Sequence, residues 1–327
     1  MNSWKTDLVV TPNSNQINHA DEIITIGSCF SEVAGNYLVS NKFSCVSNPF
    51  GTLYNPVSIH QLLKAAIKME IPSPEKYIQQ EDLFYHYQFH SSIADYSQAL
   101  LEKKISTILS NVHEKILRCK FLIITYGSAF AYETKDTGLI VANCHKMPAV
   151  LFQKKLLSVE TVFQSFKDII QILKQINPSI KIILTVSPVR HLKDSLELNS
   201  VSKSILRVAC HQLQTSEVVY FPAYEIMMDD LRDYRFYKKD RVHPTEEAEE
   251  YILEKFSDQF FESNTKAILT EWKSLQQALS HRPFNSSSIG HQLFLRNTLE
   301  RLFRLREKIN VAPEIKLIEQ QLTATFS

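Results

Sequence analysis

Two short segments of this chain carry residue types suited to nucleophilic chemistry. In Ile24-Thr25-Ile26-Gly27-Ser28-Cys29-Phe30 a β-branched run ends in glycine, then offers a hydroxyl and a thiol just before the helix-forming Ser31-Glu32-Val33-Ala34. A side chain at a helix start meets the positive end of the helix dipole, which favours a developing anion and lowers a thiol pKa. In Asp240-Arg241-Val242-His243 a carboxylate precedes an imidazole by three residues, close enough to fix the ring tautomer and stabilise the imidazolium. Each segment also has a plainer reading, with Ser28 capping the helix above a packed Cys29 and Asp240 capping a surface loop. Taken together they describe a nucleophile, His, Asp set, with either Cys29 or Ser28 as the attacking group.

Such a set works only if a scaffold brings the two ends of the chain together. Apolar runs of strand length occur at Ile23 to Ile26, Phe43 to Val46, Phe121 to Thr125, Ile180 to Val186 and Val218 to Phe221. They are rich in β-branched residues and lack strict alternation, as strands buried on both faces do. Amphipathic segments at Pro56 to Met69, Tyr96 to Cys119, Val159 to Ile176 and Asn199 to Leu213 separate them, with apolar residues near i, i+3, i+4. The alternation predicts an α/β fold, a three-layer αβα sandwich around a mainly parallel five-stranded sheet. The Gly27 turn would then lie at the carboxyl edge of the sheet, where open α/β folds bind ligands. Pro244-Thr245-Glu246-Glu247 opens a helix, so His243 stands at an element start.

Two insertions interrupt the rhythm, and insertions after strands often build binding sites. Residues Ile71 to Asp95 are rich in aromatics and histidine, and Ala131 to Gln153 contain Asn143-Cys144-His145-Lys146. An amide, a thiol, an imidazole and a cation in four positions could contact a polar or anionic acyl substrate, or simply order a loop. Arg190, in Ser187-Pro188-Val189-Arg190-His191, could clamp a carboxylate or phosphate, or pair with Asp194. His86 and His90 have the i, i+4 spacing of metal ligands, but no third ligand stands near them in sequence, so neither a metal nor another cofactor is expected. Segments Tyr224 to Met228 and Leu231 to Arg235 are expected to hold the Asp240 to His243 loop through packing and ion pairs.

Lys+Arg 36 against Asp+Glu 35 leaves the chain nearly neutral, which gives no electrostatic case for nucleic acid or an anionic membrane as partner. The first residues, Met1 to Asp7, lack the charged and apolar regions of a secretion signal, and a cytoplasmic location is expected. Five scattered cysteines without CxxC spacing argue against disulfides and zinc and read mostly as buried thiols, Cys29 excepted. Composition changes after Phe260. Thr265 to Leu279 is amphipathic, His281 to Ser288 reads as a linker, and His291 to Ile309 as a charged helix. The expected division is 1–262 as the catalytic domain and 263–327 as a helical extension, unable to close a core of its own and suited to pack on the main domain or on a second copy of the chain.

Gly27-Ser28-Cys29-Phe30 and Asp240 to His243 together resemble the GSCFA family of the SGNH, or GDSL-like, hydrolase superfamily. The likeness runs over roughly residues 5–260 and includes Asn48-Pro49-Phe50-Gly51-Thr52-Leu53-Tyr54-Asn55-Pro56, Asn143 to Pro148, Ser187 to His191 and Tyr234 to Tyr237. It implies a flavodoxin-like sandwich and hydrolysis of ester bonds in a small-molecule or saccharide substrate, with acyl transfer or plain binding on the same fold as alternatives. It places Cys29 on the nucleophile position, puts Ser28 where the superfamily has aspartate, and matches Asp240 and His243 to the base pair and Gly51 to an oxyanion glycine. In Thr125-Tyr126-Gly127-Ser128-Ala129, alanine stands at the position of the superfamily's oxyanion asparagine. Backbone N–H groups of Cys29 and Gly51, near Gly127, would have to serve, with Ser128 or Asn143 as replacement donor.

Overall fold

The computed structural model describes residues 6–324 except 74, 286 and 287. Met1 to Lys5, read above for a leader, and the Ser286-Ser287 step of the linker lie outside the described residues. Five strands form the central sheet: β1 (Glu22–Gly27), β2 (Ser44–Ser47), β5 (Phe121–Tyr126), β9 (Lys181–Val186) and β10 (Val218–Phe221). They are ordered β10-β9-β5-β1-β2 and all pairings are parallel, so every strand ends at one edge. The order reverses between β1 and β5, which makes the mouth between these two strands the switch point.

Burial on both faces explains the unbroken apolar runs. Ile24, Ile26, Leu122, Ile124, Ile182 and Leu184 face a core completed by α2 (Pro56–Lys68), α3 (Gln98–Arg118), α4 (Val159–Ile176) and α5 (Leu196–Gln212). Ile23, Phe121, Ile123, Ile183 and Phe221 face the other core, with Phe30 and Leu38 of α1 (Cys29–Ser40) and Ile252, Phe256 and Phe260 of α7 (Glu246–Phe260). Local chemistry sets the helix starts: Asn55 caps α2 through Ser58 N–H, with Pro56 at its first position, and Thr245 caps α7 through Ala248 N–H. After β10 the chain passes through the short α6 (Ala223–Glu225) into a π-turn whose Ile226 and Met227 are fully buried.

Both insertions fold as small antiparallel sheets. The first is a hairpin of β3 (Tyr77–Gln80) and β4 (Leu83–His86); the second joins β6 (Phe130–Thr134), β7 (Ile140–Val141) and β8 (Phe152–Leu156) in the order β7-β6-β8.

The C-terminal extension departs from expectation. Its helices α8 (Ser263–Ser280), α9 (Ile289–Leu305) and α10 (Ala312–Ala324) bury a cluster of their own, including Trp272, Leu275, Leu295, Leu302, Val311 and Ile318. The third helix supplies the apolar face that two alone would lack. This unit is also tied to the sandwich: Trp272 Nε1 donates to Ser40 O at 2.8 Å and Lys42 pairs with Glu314 at 2.6 Å. The cysteines differ as well, for only Cys119 and Cys210 are fully buried, while Cys45 and Cys144 share the half-buried state of Cys29. No helix among the described residues is long and apolar enough to cross a membrane.

Candidate active site

Strand β1 ends in a turn that only glycine can make. Gly27 has φ +140°, and a Cβ there would lie 2.1 Å from Thr125 O. Asn48, just past β2, locks the turn: its Oδ1 accepts Gly27 N–H at 2.8 Å and its Nδ2 donates to Gly27 O at 3.3 Å. Ser28 N–H continues the pattern by donating to Thr125 O at 3.0 Å.

The two candidate nucleophiles are thereby placed differently. Ser28 occupies the cap position of α1, yet its hydroxyl makes no capping bond; it is 1% exposed and its Oγ has no hydrogen-bond partner. Cys29 is the first residue of α1 and is half-buried. The plainer reading of the segment is therefore reversed, the serine being sunk and the thiol nearer solvent. The expected fall in thiol pKa is not realised either. Burial raises it above its ordinary value, opposed by the backbone N–H of Phe30, by the Lys203 ammonium and by Cys29's own N–H. Helix-end donors do face the sulfur, but desolvation outweighs them.

The imidazole and carboxylate form the expected pair. His243 Nδ1 lies 2.7 Å from Asp240 Oδ2, while Asp240 Oδ1 accepts the N–H groups of Val242 at 2.9 Å and His243 at 3.1 Å. Those bonds, led by the Val242 N–H, hold the Asp240 carboxyl well below the usual carboxylate range. Acceptance by Asp240 puts a proton on Nδ1 and leaves Nε2 as the basic nitrogen. The loop is held at both flanks, by an isolated bridge between Tyr237 and Pro244 and by Lys238 N–H on His243 O at 2.8 Å.

Arg190 connects the loop to the sheet. Its N–H donates to Val242 O at 3.1 Å and its guanidinium stacks on the Tyr237 and Tyr234 rings, whereas Asp194 pairs with Lys154 instead. The adjacent His191 donates from Nε2 to Gly127 O at 2.8 Å. Gly127 in turn abuts the Ser28-Cys29 turn, since a Cβ on it would lie 3.2 Å from Ser28 Cβ. The segment after β9 thus bridges the His243 loop and the Cys29 turn on one sheet edge. Among the described residues no hydrogen bond joins His243 to Cys29 or Ser28, and the imidazole side chain is 44% exposed. Such bonds commonly tighten only once substrate is bound.

The expected oxyanion donors are mostly engaged elsewhere. Gly51 N–H donates to Asn48 O at 2.8 Å, and those of Gly127 and Ser128 both reach Tyr54 O at 2.9 Å. Ser128 Oγ accepts from Phe130 N–H at 3.0 Å. The remaining donors at the turn are the Cys29 and Phe30 N–H groups at the start of α1, since Ser31 N–H donates to Ser28 O at 2.8 Å. Asn143 and His145 stand apart on the second insertion. Asn143 Nδ2 donates to Ser91 Oγ at 3.1 Å, and the 3%-exposed His145 spends its ring nitrogens on Ser91 Oγ and His86 O. They line a cavity of about 540 Å³ together with Tyr54, Ser128 and His191, while Ser28, Cys29 and His243 are not among its lining residues.

Other polar groups have structural partners. His86 is buried, accepting Gln88 N–H and contacting Ser73 O, and among the described residues no group of three or more His, Cys, Asp or Glu could hold a metal. Lys203 was not foreseen: it is fully buried, and its Nζ donates to Gly127 O at 2.8 Å and Ser187 O at 2.7 Å. Its sequence signal is a lysine on the buried stripe of α5, in step with Asn199, Leu206 and Cys210.

A parallel α/β sandwich with a thiol turn and a His-Asp loop at one edge defines the class of protein. Residues 22–256 match the model of the GSCFA family and residues 272–324 that of the GSCFA domain protein, C-terminal domain. The chain belongs to the GSCFA family. Comparison with curated proteins finds no match. Among solved structures the chain is similar to a carbohydrate esterase family 3 protein from Talaromyces cellulolyticus, with TM-score 0.35, 10% identity and coverage of 78% of this chain and 99% of that one. It is also similar to an acetyl xylan esterase from the rumen bacterium Butyrivibrio proteoclasticus, with TM-score 0.35, 10% identity and coverage of 75% and 64%.

Proposed function

We propose that the protein is an esterase or acyl hydrolase in which Cys29 is the nucleophile, His243 the general base and acid, and Asp240 the group that orients the imidazole. The observation that carries this reading is the 2.7 Å Asp240–His243 pair on the same sheet edge as a half-buried thiol at the start of α1. Cys29 sulfur attacks the acyl carbonyl carbon as its proton passes to His243 Nε2, and the carbonyl oxygen becomes an oxyanion beside the Cys29 and Phe30 N–H groups at the start of α1. The imidazolium returns that proton to the departing alcohol, leaving a thioester on Cys29. Water then attacks the thioester with His243 as base, which releases the acid and restores the thiol. The cavity walled by Tyr54, Phe152 and Met147 suits an apolar part of the substrate.

The commitment of the Gly51, Gly127 and Ser128 N–H groups to protein carbonyls favours a second reading, transfer of the acyl group to an acceptor such as a saccharide hydroxyl. Incubation with short-chain p-nitrophenyl esters and acyl thioesters tests both. The expected result is turnover, with an acyl adduct on Cys29 by mass spectrometry that is lost in Cys29→Ala. No turnover and no adduct would sink both readings, and acylated sugar in preference to free acid would select transfer.

A further inference from the structure

Lys203 has no exposed surface, and burying an ammonium is costly unless its charge is used or compensated. Lys203 reaches from α5 to the carboxyl ends of β5 and β9, where Nζ donates to Gly127 O at 2.8 Å and Ser187 O at 2.7 Å. Neither carbonyl carries a formal charge, so the two hydrogen bonds engage two of the three ammonium donors without supplying a counter-ion. Gly127 is the residue against which the Ser28-Cys29 turn packs.

We propose that Lys203 is the positioning and charge-compensating residue of the Cys29 turn, its buried ammonium being the counter-ion for the thiolate that forms when His243 takes the thiol proton. No proton passes between Cys29 and Lys203; each charge makes the other less costly in a desolvated setting. The inference rests on the reading of Cys29 as nucleophile. Burial brings the Lys203 pKa down to about 7, and Cys29 is the group that raises it, while Lys203 in turn lowers that of Cys29. The groups facing the pair are His191 from the segment after β9, Tyr224 of α6, with its ring 5.7 Å from Nζ, Glu249 of α7 and Tyr54 of the loop after β2. Of these Glu249 opposes the thiolate, and the depressed pKa of His191, about 4, leaves its ring neutral. Lys203 is the group among them that can carry positive charge beside the turn, and negative charge on Cys29 favours that charged form.

The test is the pH profile of Cys29 alkylation by iodoacetamide in the full chain, quantified at Cys29 by mass spectrometry with Cys144 as internal reference. In Lys203→Met the profile is expected to move up by about one pH unit, slowing Cys29 roughly 10-fold near neutrality, while Lys203→Arg keeps the wild-type profile. Superimposable profiles for wild type and Lys203→Met, or equal shifts in the Met and Arg variants, overturn the proposal. Should Lys203→Met not fold, the reciprocal measurement decides. The ¹³Cε titration of Lys203 is expected at higher pH in Cys29→Asp, which places a fixed negative charge on the turn, than in Cys29→Ala, and equal midpoints overturn the proposal. Alkylation requires no turnover, so a failed esterase assay with a shifted profile rejects the esterase reading alone.

Discussion

The guanidinium of Arg190 lies 3.9 Å from the centroid of the Tyr237 ring, while its backbone N–H holds Val242 O at 3.1 Å. One residue in the segment after β9 therefore grips the His243 loop at two points, one on each side of Asp240. Tyr237 is only 5% exposed, and a stack in such a setting is worth about 0.5–2 kcal/mol, so its removal bears more on precision than on stability. Arg190→Ala is expected to lower kcat by about 10- to 100-fold with little change in melting temperature, because a small displacement of a catalytic base is costly. Arg190→Lys should recover only part, since a point-charge ammonium stacks less well than a planar guanidinium. Steady-state kinetics beside thermal melts would separate the two effects; a parallel fall in both would mean that Arg190 merely stabilises the fold.

Ser28 provides the sharpest discrimination between the two candidate nucleophiles. Its Oγ is buried without a hydrogen-bond partner, so removing the hydroxyl removes an uncompensated desolvation cost. Ser28→Ala is expected to keep turnover within about threefold and to raise stability by up to about 1 kcal/mol. Turnover assays and urea midpoints measure both quantities, and a fall in kcat beyond about 100-fold would transfer the nucleophile role to Ser28.

The contrast between Ser28 and Cys29 also marks where reading from the sequence stops. Strands and helices were legible because their patterns are local: Val159–Ile176 and Val218–Phe221 form as expected to the residue. Asp240 and His243 pair across three positions, again a local fact. Ser28 is sunk against Gly127 and its N–H is held by Thr125 O, both about a hundred residues away. Lys203 was legible only as a lysine on an apolar stripe, since nothing nearby in sequence names Gly127 O and Ser187 O as its partners. The extension's core was missed because Ile309, Val311 and Ile318 fall in a loop and a short helix with no long periodic run.

Gly27 is the residue on which the turn depends most. A methyl group at its position would lie 2.1 Å from Thr125 O, a backbone atom of the central strand that cannot move aside, and φ +140° disfavours any L side chain. Gly27→Ala is expected to destabilise the protein by more than about 3 kcal/mol and to abolish activity. Denaturant unfolding would reveal this, and a midpoint near that of wild type would mean that β1 and β5 separate easily at this edge.

Three neutral histidines make stability depend on pH. His60 is held between Tyr126 OH and Ser165 Oγ, each at 2.8 Å, and burial lowers its pKa to about 3. Burial likewise lowers His86 and His191 to about 4. The unfolded chain, with ordinary histidines near 6.5, binds more protons than the folded one between these values, so stability falls as pH drops from about 6.5 toward 4. At pH 5 each histidine is expected to cost up to about 2 kcal/mol relative to pH 7.5, in a window above the titration of ordinary carboxylates. His191→Gln, which keeps a donor for Gly127 O, should flatten part of that slope. Urea midpoints measured from pH 7.5 to 4.5 would show it, and a wild-type midpoint constant over that range would mean that these rings are protonated within the fold.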